Sequence, residues 1–131
     1  MQPNQQERHL FEYATIRVVP SVEREEFVNV GVVVYCSSHQ FLHSIIHVNA
    51  EKLYALSREI DLIDIQQYLD SFQKICLGDP DSGPIGKLPA ASRFRWLTAQ
   101  RSTIIQTSRV HPGFSNKPLE ALNNLFTKMV L

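Results

Sequence analysis

The segment Phe27-Val28-Asn29-Val30-Gly31-Val32-Val33-Val34-Tyr35 constrains the fold more than any other part of the chain. Four valines, Val28, Val30, Val32 and Val34, recur with period two, and β-branched residues at that period specify a strand. A second alternating run, Glu12 to Val19, precedes it, with Ala14, Ile16 and Val18 on one face and Tyr13, Thr15 and Arg17 on the other. Pro20 ends that run because it lacks the donor a ladder requires. The two runs predict an antiparallel hairpin around residues 20–26. If the aliphatic faces share one side, the residue numbers of paired positions have an even sum. A sum of 46 puts Arg17 opposite Asn29. The same argument around residues 36–40, with a third strand over 41–48, puts Asn29 opposite His47. Arg17, Asn29 and His47 would then form one polar row.

Helices follow. Asn49 predicts a short helix over about 50–58. Asp61 caps a longer one that ends at Gly78, with Leu62, Ile65, Leu69, Phe72 and Cys76 as its apolar stripe. Residues 78–89 read as a loop by their turn chemistry. A helix over 90–98 carries Phe94 and Leu97, and a fourth strand is expected over Ser102–Thr107. Pro118 opens a last helix, with Leu119, Leu122, Phe126 and Met129 on its core face. The expected class is α+β: an antiparallel sheet of about four strands with helices packed on one face. The expected layout is a flexible N-terminus over 1–10 and a single domain over 11–131.

Composition narrows the function classes. With 44% hydrophobic and 20% charged residues, the 131-residue chain can form a packed core. No apolar run reaches the roughly 20 residues of a membrane helix. Two isolated cysteines and the absence of a signal-like start read as a cytoplasmic protein. Net charge is zero, but it is unevenly spread. Residues 1–81 hold 6 Lys/Arg and 12 Asp/Glu, whereas residues 82–119 hold 6 Lys/Arg and no acid. Either the two segments face each other or residues 93–111 form an anion-binding face.

No motif dictates a reaction. Gly86-Lys87 lacks both the first glycine and the hydroxyl of a phosphate-binding loop. His43 and His47 sit about 13 Å apart on a strand, too far to share a metal ion, so no metal is expected. No nucleophile elbow surrounds any serine, and no cofactor is implied. The densest constellation is Arg93-Phe94-Arg95-Trp96-Leu97-Thr98 followed by Arg101-Ser102-Thr103. Arginine forks grip phosphates and carboxylates, and hydroxyls add donors. Nucleic acid is disfavoured as a partner because the chain has no positive excess.

The chain resembles a bacterial family of unknown function, number 3037. Tyr13–Pro20, Arg24–Val32, Arg93–Thr98, Arg101–Thr103 and Val110–Gly113 carry the resemblance, which spans about residue 11 to the C-terminus. It implies a small cytoplasmic protein with no established activity and a kinase-like neighbour as a protein partner. Its polar motif positions are Arg17, Glu26, Asn29, Arg95, Arg101, Ser102, Thr103 and His111. Two functional readings stay open. One is a non-catalytic accessory or binding module that takes an anionic ligand or partner through Arg17, Asn29, Arg95, Trp96, Arg101, Ser102 and Thr103. The other is an enzyme on a phosphate-bearing or nucleic-acid substrate, with Glu26 or His111 as its acid/base group.

Overall fold

The long hairpin forms where the valine run requires it. In the computed structural model, which describes residues 7–131, strand β1 (His9–Ser21) pairs antiparallel with β2 (Glu26–Cys36), and β2 pairs with β3 (Phe41–Ile46). Each hairpin turns through a 3₁₀ turn that closes on a left-handed residue, Glu25 (φ 56°) in the first and Gln40 (φ 49°) in the second. Helices α1 (Ala50–Leu56), α2 (Leu62–Leu77) and α3 (Ala90–Leu97) follow, then β4 (Ile105–Thr107), β5 (His111–Ser115) and α4 (Pro118–Met129). The order is β3-β2-β1-β4, with β5 also on β1. The five strands thus fill four positions, because β4 and β5 occupy the same edge of β1 in succession. Ser108 bridges their junction: its amide donates to the Thr15 carbonyl at 2.9 Å, and its Oγ accepts from the Thr15 amide at 2.9 Å.

The caps act as read. Asn49 accepts from the Lys52 amide, Asp61 accepts from the amides of Ile63 and Asp64, and Gly78 (φ 70°) closes α2.

Four expectations are corrected. First, the valine run does not present one face. The pairing is Arg17 to Asn29, as expected, but Ile16 to Gly31, so Val30 is a β-bulge. Beyond it the alternation inverts. Val30 and Val33 pack with Ile16, Leu69 and Phe94, while Val32 and Val34 pack with Leu122 on the opposite side. A Cβ on Gly31 would lie 2.6 Å from the Ile45 carbonyl oxygen, so the bulge admits only glycine there. Second, the helices are not confined to one face. α1, α2 and α3 cover the side of Ala14, Ile16 and Val18, whereas α4 covers Phe11, Val32 and Val34. α4 turns Leu122, Leu125, Phe126 and Met129 inward and leaves Leu119 exposed. Third, β3 pairs one residue away from the expected register, so Tyr35 faces Leu42. β3 ends before His47, whose amide bonds the Val30 carbonyl at 2.7 Å, and the three-residue polar row does not form. Fourth, the sheet has one strand more than expected. Within the segment 1–10, residues 1–6 lie outside the described residues, but His9 and Leu10 pair with Ser115 and Phe114. The fourth strand is shorter than expected, Ile105–Thr107, and β5 contains Pro112-Gly113, which is tolerated on a sheet edge.

Candidate functional site

Arg17 lies on the α4 side of β1, on a rung with Asn29 of β2 and Gln106 of β4. α4 covers the β2 and β3 columns of that face and stops at this rung, where Asn29 Nδ2 donates to the Met129 carbonyl at 3.2 Å. At this rung the β1 and β4 positions carry no helix residue on the cavity wall. There a cavity of about 280 Å³ opens. Arg17, Val19 and Phe27 contribute from the long hairpin, Val22 and Glu25 from its turn, and Arg101, Ser102 and Gln106 from the segment that runs into β4.

Local chain chemistry delivers Arg101 and Ser102. α3 ends at Leu97, and Arg101 folds back to donate to the carbonyls of Trp96 and Leu97. A cationic side chain there adds a donor to carbonyls of the last helical turn. Its guanidinium also stacks on Trp96, 4.3 Å from the ring centroid. The chain then reaches the sheet through the Val19 amide, which donates to the Ile104 carbonyl at 2.7 Å.

Arg17 combines partial burial with an unpartnered nitrogen. Its guanidinium rests 4.0 Å from the Phe27 ring centroid, a cation–π contact that orients the plane of the fork. Its Nε is buried with no hydrogen-bond partner. Among the described residues no carboxylate lies within 4.0 Å of it. Burial lowers the Arg17 pKa. The side chain is still a cation at neutral pH, because a guanidinium is not deprotonated in proteins.

The remaining sequence candidates lie elsewhere. Arg95 gives both fork nitrogens to Glu12, at 3.0 and 2.9 Å, which raises its pKa by hydrogen bonding against a smaller cost of burial. Arg93 donates to the carbonyls of Leu88 and Cys76 and ties the loop to the end of α2. Trp96 is 41% exposed, neither core nor part of the cavity wall. The Thr103 hydroxyl donates to the Ile105 carbonyl. Glu26 pairs with Arg24 at 2.5 Å beside the first hairpin turn. His111 sits opposite Tyr13, with ring centroids 5.4 Å apart. Tyr13 and the Ser21–Glu26 pair lie four residues from Arg17 in opposite directions, about 13 Å each way. Glu26 and His111 therefore face positions eight residues apart on β1, Ser21 and Tyr13, and cannot act on one atom.

Of the sequence candidates, the cavity thus gathers Arg17, Arg101 and Ser102. Glu25, Phe27 and Gln106 join them without having been singled out. Gln106 reaches Arg17 only through the β1–β4 register, which no local signal encodes. Glu25 stood inside the matched run Arg24–Val32 but looked like an ordinary turn residue.

Comparison with known proteins gives one match. The sequence model of a family described as protein of unknown function, DUF3037, covers residues 13–130. No curated protein and no solved structure matches the chain.

Proposed function

The chain belongs to the DUF3037 family of proteins of unknown function, and from that premise we propose that it is a non-catalytic binding module whose cavity at Arg17 takes an anion. One observation carries the reading: a partly buried guanidinium with no carboxylate partner and an orphaned Nε, on the wall of a cavity shared with Arg101, Ser102 and Gln106. A buried charge is costly unless paired, and phosphates and carboxylates match the arginine fork. Gln106 and Ser102 add neutral donors beside it. The enzyme reading has less support, because Glu26 and His111 are out of reach of Arg17 and Glu25 is the one acid on the cavity wall. A long polyanion also fits poorly, since a cavity with two guanidinium groups and one carboxylate suits a single anionic group.

The test is thermal unfolding of the whole chain in rising inorganic phosphate, with Trp96 fluorescence as a second readout because Arg101 stacks on that ring. The melting temperature should rise with phosphate, by the equivalent of about 2.7 kcal/mol at a hundredfold excess over Kd. Arg17→Leu should fold and lose that rise. An equal rise in both proteins, or none in either, defeats the proposal.

A further inference from the structure

The cavity carries both signs of charge without joining them. Arg17 and Arg101 stand on its wall, and so does Glu25. Yet the Glu25 carboxylate pairs with neither: no nitrogen of either arginine lies within 4.0 Å of it. This contrasts with Glu12, which closes on Arg95 through two hydrogen bonds. A site made for a bare dianion would gain nothing from a free carboxylate on its wall, because like charges repel there. The apolar part of the wall is formed by Val19, Val22 and Phe27.

Resting on the anion-binding reading, we infer that this cavity recognises a small amphoteric molecule, with its acidic head on Arg17 and its ammonium group on Glu25. The short hydrocarbon between the two poles lies against Val19, Val22 and Phe27. Size agrees with this class. A volume of about 280 Å³ equals roughly nine waters at about 30 Å³ each, which accommodates an α-amino acid or a phosphorylated small amine. The acidic head is a carboxylate or a phosphate, and the two are distinguished by the probes.

Isothermal titration of the full chain at low ionic strength tests the assignment with five probes: inorganic phosphate, phosphoethanolamine and its N-acetyl form, alanine and N-acetylalanine. At least one ammonium-bearing probe should bind about fivefold tighter than its acetylated counterpart, as expected for one solvent-exposed ion pair. The pair that shows the preference identifies the head. In Glu25→Gln that preference should vanish, while inorganic phosphate binds as well or better. The variant keeps the turn, since Gln40 already holds the same left-handed position in the second hairpin. Equal binding of free and acetylated probes, or a preference unchanged in Glu25→Gln, overturns the amphoteric assignment and leaves the anion site standing. No binding of any probe, phosphate included, overturns both.

Discussion

The two ends of β1 use the same residue types to different ends. Toward its start, Glu12 reaches across to Arg95 of α3 and the pair closes on itself, while His111 rests on Tyr13. Toward its finish, Arg17 lies on Phe27 with a buried Nε that no protein group meets, and Glu25 stands on the same cavity wall unpaired. Both arginines match the sequence pattern of an anion gripper. Only one has its fork available, because only one lacks a carboxylate neighbour. An arginine-rich motif therefore marks candidates, and partner geometry selects among them.

The bulge in β2, which fixes what each face of the sheet buries, is the place to break the molecule most severely. Gly31→Val places a side chain against the Ile45 carbonyl and Ile46, so urea denaturation should show a loss of about 3 kcal/mol. An unchanged midpoint would mean that the bulge relaxes freely and does not set the two faces.

The interior beneath both ends is tested through Cys76. Burial pushes its thiol from 9.0 up to about 11, against smaller opposing effects of a hydrogen bond with Ser44 and the charge of Arg93. The folded protein holds the thiol proton after the unfolded chain has released it. Stability from this group is therefore complete below pH 9 and declines as pH rises toward 11. Between pH 8 and 10.5 the wild-type protein should lose about 2 kcal/mol more than Cys76→Val, by urea denaturation at each pH. An equal loss in both proteins would place the alkaline sensitivity elsewhere.

The smallest effects sharpen the comparison directly. Arg95→Ala removes a solvent-exposed pair and should cost under about 1 kcal/mol, with the phosphate-induced rise in melting temperature intact. Arg17→Leu should change phosphate-free stability by no more than about 1 kcal/mol in either direction, since its fork loses only the contact with the Phe27 ring, and should abolish the phosphate effect. A reversal of these two phenotypes would move the anion site to the Glu12 end.

Legibility followed the range of the interaction. The hairpin, the Arg17–Asn29 rung, the three leading helices and the caps of the first two are readable because period, cap and breaker act within a few residues. The bulge was not read, although Gly31 inside a strand and the unbroken Val32-Val33-Val34 are its local traces. A strand covered on both faces needs no alternation. β5 was hidden by Pro112-Gly113, which looks like a turn until an edge of β1 is there to pair with it.

What the sequence by itself determined was the α+β class, the pairing of the two long strands and a short roster of polar residues that no core pattern explains. What only the tertiary structure decided was which of those residues meet. Arg101 and Ser102 approach Arg17 because β4 docks eighty-odd positions away on the edge of β1, and Arg95 is withdrawn because Glu12 lies within reach of α3. Charge availability is a property of distance between groups remote in the chain, and that distance exists only after the sheet has closed.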